Sequence, residues 1–212
     1  MMTPPRGRPA DPTKQAHQKQ KLIAAAIELL SEKSYRSVTI REIAERADVN
    51  SAMIRYYFEN KENLFLAMFE ELSVEHFNLV ENAVALENPV REFIYSTLNM
   101  IGKNTGMMRL IHDEILREDS PLKVAFIERF PKKMAQRLPR LIQAQIDKGL
   151  MRSDLNPKFA ALSLMSMIIF PFTVPDVREQ AWQMSQDDIT SPAWAEHLYQ
   201  LFVSGCTKEP QT

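Results

Sequence analysis

Apolar positions in this chain fall at helical spacing, most tightly in the run from Ser37 to Leu66. There Ile40, Ile43, Ala44 and Ala47 stand at i, i+3, i+4 and i+7, one stripe on a helix of about two turns. Thr39 and Glu42 open it as a T-x-x-E capping box, which satisfies free N–H groups at a helix start. Ala47-Asp48-Val49 form a turn, and Asn50 suits the N-cap of a second short helix, Ser51 to about Phe58. Upstream, a helix from about Lys14 to Lys33 places Ile23, Ala26, Ile27 and Leu30 on one face. Packed on the short pair, that face completes a three-helix core.

The remainder also reads as helices. Asn60 caps one from Lys61 to about Leu86, roughly 40 Å long at 1.5 Å per residue. Pro89 starts the next, about Val90 to Asn104, and Thr105-Gly106 breaks it before Met107 to Glu118. Ser120-Pro121 is a start signal, Pro131 and Pro139 predict a kink or break, and Gly149 a stop. Asn156-Pro157 starts a helix apolar on nearly all sides through about Phe170, ended by Pro171 and Pro175. Such a helix must be covered on all sides. A short helix near Asp176 to Met184 follows, and Ser191-Pro192 starts a last one ending before Gly205, with Trp194, Leu198, Leu201 and Phe202 on one stripe. The predicted fold is all-α, with a 1–12 arm, a 13–60 three-helix head and a 61–212 helical body.

Composition narrows the chemistry. Five glycines are few for a phosphate loop or a turn-rich β fold. The single cysteine, Cys206, excludes an internal disulfide framework and agrees with a reducing cytoplasm. MMTPPRGRP lacks the apolar core of a signal peptide, and the uncharged run from Phe159 to Val174 is short for a membrane span and contains Pro171. The four histidines lie on separate helices, without H-x-x-x-H spacing or cysteine partners for a metal, and no G-x-S-x-G occurs. No catalytic site, cofactor or metal is expected. The net charge of −1 conceals an asymmetry. Residues 1–61 hold 11 Lys+Arg against 7 Asp+Glu, a balance of +4, and the rest is −5. A basic head on an acidic body directs the head toward a polyanion.

The Ser37–Leu66 run also resembles the DNA-binding segment of TetR-type transcriptional regulators. Thr39, Ile43, Ala44, Ala47, Val49, Ile54, Phe58, Lys61 and Leu64 match that pattern in order and spacing, and Arg55-Tyr56-Tyr57-Phe58 fits the aromatic signature closing its recognition helix. Asp48 stands where the family usually has a turn glycine, and Ser34 where a glycine often ends the first helix. Where such a position needs φ > 0, a non-glycine residue costs roughly 1 kcal/mol. The resemblance implies a homodimer placing two helices in successive major grooves of palindromic duplex DNA, about 34–36 Å apart. It also implies a body that binds a small-molecule effector and releases the DNA.

Candidate base-reading residues are Ser51, Ala52, Met53 and Arg55, the arginine being suited to bidentate contact with guanine. Met53 replaces a small polar residue common in the family. Tyr56, Tyr57 and Lys61 match phosphate-contacting family positions, Thr39 and Asn50 cap and stand near the same surface, and Arg6 and Arg8 suit a minor groove. Met100, Met107, Met108, His112 and Met165 are candidate effector contacts. Ala160, Leu164, Met167, Trp194, Leu198, Leu201 and Phe202 resemble the family's four-helix dimer interface. The basic cluster Arg129, Lys132, Lys133, Arg137 and Arg140 suits either an anionic effector or a solvated face. Repression by promoter occupancy is expected over activation, and a purely protein-binding helical module leaves the basic head without a purpose.

Overall fold

The computed structural model describes residues 12–82 and 86–207, and every regular element among them is helical. The chain divides into two compact units, one up to Met68 and one from Phe69. In the first, α1 (Pro12–Glu32) leads through a 3-10 turn at Tyr35–Ser37 to α2 (Ile40–Ala47), α3 (Ala52–Phe58) and the first turns of α4 (Lys61–Glu81). The capping box at Thr39 forms as expected: the Glu42 N–H donates to Thr39 Oγ1 at 3.2 Å, and Glu42 Oε2 accepts from the Thr39 N–H at 2.9 Å. A cap of this kind stabilises a helix by about 1 kcal/mol.

The face that α1 buries is rotated from the expected one. Leu22, Ile23, Ala25, Ala26, Leu29 and Leu30 are buried, while Ile27 is only half-buried. Because α1 packs on α2 and also meets α3 through Gln18 and Lys19, it needs a wider apolar face than a single i, i+4 stripe. Of the predicted α2 stripe, Ile43, Ala44 and Ala47 are buried and Ile40 is exposed at the first turn. Phe65 of α4 is fully buried and meets the Tyr35 ring edge-on at 5.0 Å, so this unit extends beyond Asn60, where the spacing alone divides the chain.

The second unit holds the rest of α4 and α5 (Pro89–Lys103), α6 (Thr105–Leu110), a π-helical turn at Ile111–Ile115, α7 (Lys123–Arg129), α8 (Pro131–Asp147), α9 (Pro157–Thr173), α10 (Pro175–Trp182), α11 (Gln186–Thr190) and α12 (Pro192–Cys206). Helix α8 packs on α9, and α5 packs on α11 and α12. Phe69 of α4 packs against Phe126 and Phe130, with centroids 5.0 and 5.5 Å away. Alongside, Arg129 pairs with Glu70 at 3.2 Å, Arg137 pairs with Glu81 and lies over the Phe77 ring, and Lys132 pairs with Glu128. Much of the basic cluster is thereby engaged with neighbouring acids and a ring, and stands as a surface ion-pair network.

Several boundaries differ from the spacing-based expectation, each for a local reason. Helix α4 ends at Glu81, short of Leu86. The break after α5 falls at Asn104 (φ −129°, ψ 55°), so Thr105 and Gly106 belong to α6. Helix α8 begins at Pro131 and runs through Pro139, and α9 runs through Pro171 to Thr173. Packing against neighbours on one side offsets the single backbone hydrogen bond that an internal proline removes. Helix α11 has its own capping box, Ser185 with Asp188, and α12 continues past Gly205 to Cys206. Gly102 allows a close approach between α5 and α11, since a Cβ there would lie 3.0 Å from Thr190 Cγ2.

Candidate nucleic-acid interface

The turn between α2 and α3 is closed by backbone geometry. Asp48 adopts the left-handed conformation (φ 52°, ψ 48°), and the Val49 N–H reaches back to the Ala44 carbonyl at 3.0 Å. This is the arrangement that usually selects glycine. Asp48 therefore occupies a position needing positive φ, whereas Ser34 (φ −65°, ψ 153°) lies in extended backbone where glycine offers nothing. A second positive-φ residue, Glu59 (φ 70°, ψ −46°), joins α3 to α4, and Asn60 Oδ1 then accepts from the Asn63 N–H at 2.8 Å to cap α4. Asn50 Oδ1 accepts from the Ala52 N–H at 2.9 Å just ahead of α3, whose N-cap position is Ser51, one residue beyond the expected Asn50.

The placement of α3 sorts its side chains. Ile54 and Phe58 are buried beneath it, while Ser51, Ala52, Arg55 and Tyr56 are exposed and Met53 is half-buried. Arg46 is bound to Glu32 at 2.8 and 3.1 Å and to Glu28 at 3.3 Å, and Arg41 to Glu45 at 2.8 Å. The Arg55 side chain has no ion pair or hydrogen bond among the described residues, so its guanidinium is the one on α2 and α3 still available to a ligand. Glu42 accepts from the Lys33 ammonium as well as from Thr39, and these bonds hold its carboxyl down to about 2.

Three further candidates have partners inside the unit. The Tyr57 hydroxyl donates to Gln18 Oε1 at 2.8 Å, and the Tyr56 hydroxyl accepts from Gln15 Nε2 at 3.4 Å. Lys61 donates to the Tyr35 carbonyl at 2.6 Å with its ammonium 4.0 Å from the centre of the Tyr35 ring, which ties the start of α4 to the 3-10 turn. Arg6 and Arg8 lie outside the described residues. Gln15 and Gln18 carry no motif in the sequence; only the fold brings them to the tyrosines.

In the second unit the candidates separate. Met107 and Met108 are buried, Met100 and Met165 half-buried, but His112 is exposed and bonded to Asp113 at 2.8 Å, pointing away from the interior. The buried polar groups of this unit include His76 on α4, whose ring nitrogens lie 3.3 and 3.5 Å from Thr97 Oγ1, and Thr97, which donates to the Phe93 carbonyl at 2.6 Å. Burial pushes the His76 imidazole down to about 4.

The dimer candidates also divide. Ala160, Leu164, Leu198 and Phe202 are buried within the chain; Met167 and Trp194 are half-buried and Leu201 is exposed. The outward stripe of α9 is instead Phe159, Leu162 and Phe170, which are 71%, 68% and 63% exposed. Periodicity alone could not tell which side of a wholly apolar helix the chain itself covers. Among the described residues no single helix is long and apolar enough to cross a membrane, and no cluster of metal-ligating side chains occurs.

Residues 22–68 match the family described as bacterial regulatory proteins, tetR family. The chain is 24% identical to an uncharacterized HTH-type transcriptional regulator, YvkB, of Bacillus subtilis, over 90% of this chain and 97% of that protein. Its fold is similar to the transcriptional regulator FadR from Bacillus subtilis, solved in complex with stearoyl-CoA (TM-score 0.71, 20% identity, 88% of this chain and 98% of that one). It is also similar to NalD, the secondary repressor of the MexAB-OprM multidrug efflux pump in Pseudomonas aeruginosa (TM-score 0.68, 18% identity, 93% and 100% covered). The matched segment spans the capped α2, the left-handed turn at Asp48, and α3 with its exposed Arg55. Residues 22–68 thus carry the segment shared with the bacterial tetR family, on an all-α fold similar along the body to those two regulators.

Proposed function

We propose that this protein is a homodimeric repressor that reads palindromic duplex DNA through α3 and leaves it when a small molecule binds the body. The carrying observation is the outward face of α3, where the Arg55 side chain is exposed and without a partner among the described residues while the aromatic residues behind it are held in place. Arg55 is assigned to a base edge, which a guanidinium can bond bidentately with discrimination of about 1–3 kcal/mol. Ser51 and Ala52 stand beside it, Met53 offers apolar contact to a thymine methyl, and Tyr56, Tyr57, Thr39 and Lys61 face phosphates, the last from its seat on Tyr35. Arg6 and Arg8 extend the footprint into a minor groove.

The second copy is supported by the exposed stripe of Phe159, Leu162 and Phe170 on α9, with Leu201 of α12 exposed at 57%. Apolar side chains in such a row lose water contact favourably only against another apolar surface. An effector is supported by the body's mixture of adaptable methionines, Met100, Met107, Met108 and Met165, with the buried His76–Thr97 pair. At neutral pH His76 is uncharged, so it suits a hydrogen bond from a largely apolar ligand rather than an ion pair. One relative of the same fold was solved with stearoyl-CoA, which makes acylated or long-chain compounds the first class to try. Binding would act on DNA only through different affinities for the DNA-competent and DNA-incompetent states. The experiment is titration of a selected duplex complex with acyl-CoAs and with fractions of host extract, alongside sedimentation of the free protein. A dimer released by one fraction is expected; a monomer that no fraction releases would contradict the reading.

A further inference from the structure

The first half of α1 carries a charge pattern that the candidate contacts leave unused. From Pro12 to Ile27 there is no acidic residue, while Lys14, Lys19 and Lys21 all fall there and are exposed. The first acid within α1, Glu28, is engaged by Arg46, as is Glu32 one turn on. Lys19 lies 5.5 Å from the centre of the Phe58 ring. Lys14 and Lys21 stand seven positions apart, within about 20° of each other around the helix axis and roughly 10 Å apart along it. Neither ammonium has an ion pair or hydrogen bond among the described residues.

What makes this row more than a solvated face is its neighbour. Gln18 lies between the two lysines along the same side, and it accepts the Tyr57 hydroxyl at 2.8 Å; Gln15, adjacent to Lys14, reaches Tyr56 at 3.4 Å. The two glutamines seat the lysine row directly beside the C-terminal end of the recognition helix. A duplex that receives α3 presents its phosphate backbone to whatever flanks that helix. Two ammonium groups unpaired among the described residues meet a line of negative charge there.

We propose that Lys14 and Lys21 of α1 are DNA-backbone contacts, a second phosphate-binding row beside α3 that adds affinity without base preference. This rests on the DNA-binding reading above. A lysine on a phosphate releases condensed counterions, so each contact contributes about 0.9 to the slope of log affinity against log salt. The test is a salt series on a duplex selected by the unsubstituted protein, repeated with the double variant Lys14→Gln/Lys21→Gln. Its slope should be shallower by about 1.8 per chain, its affinity on the order of tenfold lower at physiological salt, and its ranking of duplexes unchanged. Arg46→Gln removes charge from the same unit at a group already occupied by Glu28 and Glu32, and should leave the slope where it was. An unchanged slope in the double variant, a changed ranking, or an equal loss in Arg46→Gln would each overturn the assignment while DNA binding itself stands. Failure of the unsubstituted protein to bind any duplex selectively would sink both.

Discussion

Two outward faces of this chain, one on α3 and one on α9, are exposed for opposite chemical reasons. On α3 the apolar residues Ile54 and Phe58 are turned inward, and what remains outside is Ser51, Ala52, Arg55 and Tyr56, a polar surface with an unspent cation. On α9 the inward side is equally well buried, through Ala161, Leu164 and Ile168, yet the outward side is still apolar. A polar face with an idle guanidinium gains most from an anion, because its donors exchange water for a charged acceptor. An apolar face gains most from another apolar face. The first suits a nucleic acid and the second a copy of the same protein.

The largest effect expected from breaking this pairing is on α9. Leu162→Arg should make the protein monomeric in sedimentation and lower its affinity for a full two-half-site duplex by roughly a hundredfold or more, since linked binding is lost. Binding to an isolated half-site should be unaffected. On α3, Arg55→Ala should relax discrimination at one base position by about 1–3 kcal/mol, measured by competition between duplexes differing there, with the melting temperature unchanged. If both substitutions altered base preference equally, the division of labour between the faces would be wrong.

Smaller effects probe the scaffolds behind each face. Gly102→Ala should destabilise the body by about 1 kcal/mol in denaturant unfolding, because the new methyl must displace Thr190. Asp48→Gly should instead stabilise the recognition unit by about 0.5 kcal/mol, relieving the left-handed backbone at some cost in unfolded-chain entropy. Acid sensitivity gives the finest probe. The Glu42 carboxyl is held from its ordinary value near 4.5 down to about 2 by Lys33 and Thr39. A group lowered on folding contributes stability above its unfolded value and loses it as pH falls through the folded one. Thermal unfolding should therefore show a loss between about pH 4.5 and pH 2 that is diminished in Glu42→Gln.

The recognition unit was largely legible in the sequence because its signals are local. A capping box, an Asx turn at Asn50 and a short amphipathic stripe each act within a few residues, and the corresponding bonds are present. Asp48 could be identified as a turn residue from its neighbours, but the strain at Glu59 could not, since nothing in Phe58-Glu59-Asn60 demands positive φ. The body was legible as helices and less so as a surface. Phe159, Leu162, Leu164 and Ile168 have similar hydropathy, and only tertiary packing decides which of them face outward. Gln18 shows the same limit from the polar side: its role depends on Tyr57, distant in sequence, arriving 2.8 Å away.

The central claim is that the exposed face of α3 reads duplex sequence as part of a symmetric pair. Selection of bound duplexes from a random pool at about 150 mM salt tests it most directly. An enriched inverted repeat is predicted, with half-site centres about 34–36 Å or a multiple of that apart, and with the most constrained base relaxed in Arg55→Ala. A pool that remains random after several rounds, or one enriched for a single unpaired site, would contradict the account.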